Sequence, residues 1–225
     1  TYFREDRFQF RRIPIESVAE TDDYILTRLT QNEVKLELGR LYVGIEESHN
    51  AKRFFHQVSI AEPDNAEAYA GLAAVALETG AFADAEPLAA QALQLDAGNS
   101  WALITRARLR RAQAASQTDA NAADLLITEA RGMLSRAIER SPRLPDAYRE
   151  MAMTFPDLDE RSHWLAQAAA LQPLNHLILL DRARTWISQG NMTEARTTLE
   201  YVIVRSDSDV RQQARRMLAE LPAPE

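Results

Sequence analysis

Four histidines, His49, His56, His163 and His176, are the first candidates for metal or acid–base chemistry in this chain of 225 residues. No two stand four apart, the spacing that sets two imidazoles on one helical face, and no His-Glu-x-x-His sequence is present. Cys is absent, which removes thiolate nucleophiles, disulfides and Cys-based zinc sites. Seven glycines are scattered singly, so no glycine-rich loop exists to cradle a phosphate. The carboxylate pairs Glu46-Glu47 and Asp159-Glu160 read as solvated helix faces and caps rather than a catalytic pair, and no nucleophile is matched to a convincing base. The expectation is a chain that makes and breaks no bond, with no catalytic residue, metal or cofactor.

Arginine is the remaining chemistry. Arg106, Arg108, Arg110 and Arg111 form the densest basic run. On a helix 106 and 110 share one face while 108 and 111 share another, so the charge points two ways. The net charge of −7 argues against sequence-blind nucleic-acid binding, which needs a basic excess for phosphates. No run approaches the roughly 18 apolar residues that span a bilayer, so no membrane insertion is expected.

The elements that position these side chains follow from a period. The small residues Gly39, Ala73 and Ala107 lie 34 apart, followed by Ala152 after 45 and Ala183 after 31. Ala51, Ala85, Ala130, Arg161 and Ala195 repeat the steps 34, 45, 31 and 34, and so do Pro63, Ala97, Pro142, Pro173 and Asp207. Three series sharing one insertion and one deletion mark stacked helical hairpins. Small residues are required where paired helices cross closely, and larger ones fill the spaces between hairpins.

The pattern resembles the tetratricopeptide repeat family. The matches are Leu38, Gly39, Tyr42, Ala51, Phe55 and Pro63 in a first unit, and Tyr69, Leu72, Ala73, Gly80, Ala85 and Ala92 in a second. Tyr148, Met151, Ala152, Phe155, Ala168 and Pro173 carry it in a fourth, and Ala183, Trp186, Gly190, Ala195, Leu199 and Val202 in a fifth. The resemblance implies an all-α, right-handed superhelical solenoid of about five hairpins that binds protein or peptide in a concave groove lined by each unit's first helix. The positions it assigns to that groove include Leu36, Arg40, Leu77, Ile104, Arg108, Arg111, Arg149, Met153, Leu180, Arg184 and Ile187. A surface of Arg and apolar residues suits an acidic, partly hydrophobic segment, because Arg grips carboxylates through paired hydrogen bonds. The alternative is that these Arg pair with Glu37, Glu150 and Asp181 on the same helices. Leu36 and Arg40 occupy the positions of Lys and Asn in the subgroup that clamps an acidic chaperone tail, which argues against that ligand.

The expected organisation is residues 1–31 as an extended segment and lead-in helix, 32–207 as the array, and 208–225 as a capping helix and tail. The units run at about 32–65, 66–99, 100–144, 145–175 and 176–209. About 11 extra residues from Gln113 predict longer helices in the third unit, joined near 116 to 121. Pro156 is expected to end the first helix of the fourth unit early, and Arg161, in place of Ala, to loosen its crossing. Val210, Ala214, Met217 and Leu218 give the last helix an apolar stripe beside Arg-rich outer positions, as a polar end cap requires.

Phe8, Phe10, Ile13 and Ile15 alternate with polar residues as a strand would. Residues 2–15 are similar to the segment that joins a zinc-peptidase-like domain to tetratricopeptide repeats in some large bacterial proteins. The chain opens on Thr1 without an initiator Met, so it reads as a piece of a longer polypeptide. Two other functions therefore stand beside peptide binding: modulation of a missing upstream peptidase-like domain, and self-association.

Overall fold

The computed structural model describes residues 32–44, 47–206 and 208–222; the expectations for residues 1–31, including the alternating segment, lie outside them. Among the described residues there are eleven α-helices and no strand. They are α1 (Asn32–Gly44), α2 (Ser48–Ala61), α3 (Ala66–Glu78), α4 (Phe82–Leu95), α5 (Ser100–Ala115), α6 (Ala120–Arg140), α7 (Pro145–Ala152), α8 (Leu158–Leu171), α9 (His176–Gln189), α10 (Met192–Arg205) and α11 (Ser208–Ala219). Each odd helix packs on the even helix that follows it, giving five hairpins closed by α11.

The period sets the crossings. Ala51, Ala85, Ala130 and Ala195 on the second helices and Ala73, Ala152 and Ala183 on the first are sealed from solvent. Phe55 of α2 shows the steric reason. Its ring is fully buried between Gly39 of α1 and Gly71 of α3, and a Cβ at either glycine would stand 2.5 Å from a ring carbon. The ring thereby locks the first hairpin to the second, and its burial contributes about 1.5–3 kcal/mol.

Helix starts are also encoded two residues after three of the breakers. Asn65, Asn99 and Asn175 accept from the backbone N–H of Ala68, Ala102 and Ile178 at 3.1, 2.9 and 3.2 Å, satisfying donors that a helix start leaves open. After Pro142 the same position is Leu144, and Pro145 takes the first helical turn instead.

Successive first helices touch: α1 packs on α3, α3 on α5, and α5 on α7. Successive second helices do not pack closely on one another among the described residues. An inner layer that is closer than the outer one bends the stack, so the odd helices line the concave side. The third hairpin has the expected long helices, meeting at 116–119.

Pro156 and Arg161, read separately from the sequence, form one feature. Helix α7 stops at Ala152, which frees the carbonyls of Thr154 and Phe155. Arg131 donates to the Thr154 carbonyl at 2.7 Å and lies over the Phe155 ring, while Arg161 donates to the Phe155 carbonyl at 2.7 and 3.1 Å. The residue that replaces the usual Ala supplies donors that the shortened helix leaves wanting. At the end of the stack, Val210 and Ala214 of α11 are buried against Leu180, Leu199 and Val202.

Candidate functional site

The basic run on α5 divides as its spacing predicts. Arg106 and Arg110 turn outward to Glu86 of α4, each at 3.1 Å, and Arg110 also reaches Glu129 of α6. Arg108 and Arg111 turn to the inner layer, where both face Glu150 of α7, at 3.6 and 2.7 Å.

Glu150 begins a ladder. Arg149 of α7 lies 3.6 Å from Glu150 and donates through Nε to Asp181 of α9 at 2.6 Å. Arg184 donates to the other Asp181 oxygen at 2.9 Å. Glu150 and Asp181 are only 5% and 4% exposed, so each carboxylate would cost several kcal/mol to desolvate without these partners. Burial works against the charge on Arg149. The fields of Asp181 and Glu150 and the bond to Asp181 more than offset that, so its pKa lies above the ordinary arginine value.

Arg40, on α1, is similarly committed. It pairs with Glu37 at 2.6 Å and Glu67 of α3 at 2.8 Å, and its guanidinium lies 5.5 Å from the centre of the Trp101 ring on α5. These groups meet across α3, whose Ala70 and Ala74, at the repeat positions of Leu36 and Arg40, are buried.

The apolar half of the expected groove is placed otherwise. Leu36, Leu77, Ile104 and Leu180 are all buried and belong to the packing between helices. The position three before each small residue points into the core, and Arg149 is its exception. Met153 and Ile187 remain half-buried, and Ile187 packs on the core of the fifth hairpin. Leu177, at the start of α9 and 41% exposed, adds an apolar surface that the register rule did not select.

The position two before the small residue also carries more than expected. It places Glu37, Glu150 and Asp181 on the inner layer, and Glu150 and Asp181 form ion pairs with Arg of neighbouring first helices as well as with their own. Around α5, α7 and α9 there are four guanidiniums, Arg108, Arg111, Arg149 and Arg184, against Glu150, Asp181 and the more distant Asp146. The Arg108 side chain makes no hydrogen bond among the described residues, and the Arg184 side chain is 47% exposed. These two keep the most donor capacity for a further anion.

Among the described residues no group of three or more His, Asp or Glu could hold a metal ion, and no helix is long and apolar enough to cross a membrane.

Residues 36–100 match the family model described as tetratricopeptide repeat. No curated protein matches the chain in sequence. Among solved structures, a thermophilic tetratricopeptide repeat protein of Thermus thermophilus is similar, with 18% identity and a TM-score of 0.72 over 84% of this chain and 100% of that one. PilF of Pseudomonas aeruginosa is similar at 15% identity and a TM-score of 0.57, over 86% of this chain and 89% of its own. At these identities the likeness speaks for the fold.

Proposed function

We propose that this chain, a tetratricopeptide repeat solenoid, is a non-catalytic module that binds a protein or peptide segment, and that the segment is acidic and partly apolar. The fold supports a protein-interaction scaffold. One observation carries the finer reading: on α5, α7 and α9 the inner layer holds more guanidinium than carboxylate, with Arg108 and Arg184 the least committed. Half-buried Met153 after α7 and exposed Leu177 at the start of α9 supply apolar surface on the same first helices. A groove fixed by helix packing keeps its donors in place before the ligand arrives, which reduces the ordering cost of binding. The buried carboxylates keep this surface from being a uniform basic patch. They select for a ligand that places its acids beside Arg108 and Arg184 and away from Glu150 and Asp181.

A peptide array graded in acid content tests this, read with the parent chain and with Arg108→Gln/Arg184→Gln. Each exposed guanidinium contact contributes about 1 kcal/mol, or about fivefold in affinity, so losing both weakens acidic peptides about thirtyfold. Equal binding by both proteins would refute the inner-layer reading.

Self-association has one observation in its favour. Residues 32–99 carry eleven acids against four bases, whereas 100–222 carry seventeen bases against fifteen acids. One copy's first two units could thus supply the acidic segment to another's inner layer. A mass that rises with concentration, and falls with added salt, is the result this reading requires.

A further inference from the structure

The joint between the fourth and fifth hairpins differs from the others in its inner layer, while α8 packs on α9 as second helices do on the next hairpin elsewhere. Elsewhere each first helix packs along the next, but α7, cut to eight residues, does not pack closely along α9. At one edge the joint is apolar: Ala168 and Ala169 of α8 and Ile178 of α9 are buried together with Tyr148 of α7 against them. At the opposite edge lies a shallow, solvent-open depression of about 550 Å³, lined by Pro156 and Asp157 of the α7–α8 connection, Leu158 and Asp159 at the start of α8, Gln189 at the end of α9 and Asn191 of the following turn. Gln189 crosses this edge, donating to the Leu158 carbonyl at 3.3 Å and to Asp159 at 3.1 Å. Between the edges, Arg149–Asp181 at 2.6 Å joins the inner layer.

We infer that this joint is a hinge, that its apolar edge is the axis and the Arg149–Asp181 pair its latch, and that an acidic segment spanning Arg108 and Arg184 holds it closed. The ligand half rests on the groove reading above; the hinge half does not. Arg108 on α5 and Arg184 on α9 occupy the same repeat position, one after the small residue, with Met153 at the end of α7 between them. First helices lie about 8–10 Å apart, so no single carboxylate reaches both guanidiniums, and an extended segment with acids at two separated positions does. Such a segment would tie α5 to α9 across the turns that α7 lacks. The span of the solenoid, and not only its occupancy, then depends on the partner.

The natural absence of Cys lets two labels be placed uniquely, through Gln117→Cys in the α5–α6 loop and Thr193→Cys at the start of α10, both exposed. Energy transfer between them reads the joint, with hexaglutamate as the acidic probe and its binding followed separately by anisotropy. Asp181→Asn should lower the transfer efficiency while leaving helical circular dichroism intact. Arg149→Lys, which keeps the charge but not the guanidinium geometry, should lower it less. Unchanged transfer in both variants overturns the hinge. Hexaglutamate should raise transfer in the parent and not in Arg108→Gln/Arg184→Gln. If the peptide binds and transfer stays put, the closing role is overturned while the groove stands. If it does not bind at all, the acidic groove reading falls, and the two latch variants still decide the hinge.

Discussion

Gly71→Ala puts the central packing argument at risk with one methyl group. In a helix interior Ala is favoured over Gly by about 1 kcal/mol, so a site with room would be stabilised. Here the new Cβ would stand 2.5, 2.6 and 2.6 Å from Cδ1, Cε1 and Cγ of Phe55, against ordinary carbon contacts of about 3.5–4.0 Å. The ring has to withdraw by about 1 Å, but its other side is held by Gly39, where a similar 2.5 Å limit applies, and its edge meets Trp101 at 5.4 Å between centroids. Overpacking of this kind costs about 1–3 kcal/mol, and a ring confined on several sides belongs at the upper end. Net of the helix gain, Gly71→Ala should destabilise by about 2 kcal/mol. Urea unfolding followed by circular dichroism reads this as a lower midpoint. Because repeat arrays can unfold in parts, Trp101 fluorescence in a Trp164→Phe/Trp186→Phe background supplies a local second probe. In a Phe55→Leu background the same substitution should cost at least 1 kcal/mol less, since the smaller side chain relieves the contact. A Gly71→Ala chain more stable than its parent, or a cost indifferent to residue 55, would refute the reasoning.

Restoring the family's usual residue by Arg161→Ala should lower stability by about 1 kcal/mol, because the Phe155 carbonyl loses both donors; a urea midpoint at or above the parent's would contradict this. Arg111→Met leaves the buried Glu150 with two contacts at 3.6 Å and should cost about 2 kcal/mol by thermal unfolding, less than for a fully buried pair because Arg111 is about a third exposed. Glu62 accepts from Asn32 and Asn65, each at 2.7 Å, and these bonds hold its pKa below the usual 4.5. A depressed folded pKa gives stability that is present above the unfolded value and lost as pH falls through the folded one. The stability difference between the parent and Glu62→Gln should therefore shrink below about pH 4.5, and a constant difference between pH 7 and 3 would count against the bonds.

The fold was legible because its rule is steric and periodic. Glycine or alanine at 39, 73, 107, 152 and 183 marks one side of each helix crossing, and no packed pair tolerates anything large there. The long third hairpin was legible for the same reason, as a shift common to three series. The site was legible only in part. Arg108, Arg111, Arg149 and Arg184 do share the inner layer, but their partners depend on how far neighbouring hairpins rotate, which no single-unit spacing contains. Glu150 thus turns from the partner of an Arg on its own helix into a buried hub between α5 and α7. Leu36, Ile104 and Leu180 show the converse error: a register rule drawn for a groove cannot tell its floor from the core beneath. Pro156 and Arg161 each depart from the repeat in the sequence, yet their relation depends on the position of the Phe155 carbonyl, which no spacing contains.

The groove account is tested most directly by the arginine Nε–H resonances of the isotope-labelled chain, titrated with a peptide that alternates glutamate and leucine. Shifts at Arg108 and Arg184, with smaller ones at Arg111 and Arg149 and none at the outward-facing Arg53 and Arg205, are the predicted result. Shifts confined to outward-facing arginines, or a saturable interaction that moves neither Arg108 nor Arg184, would contradict it.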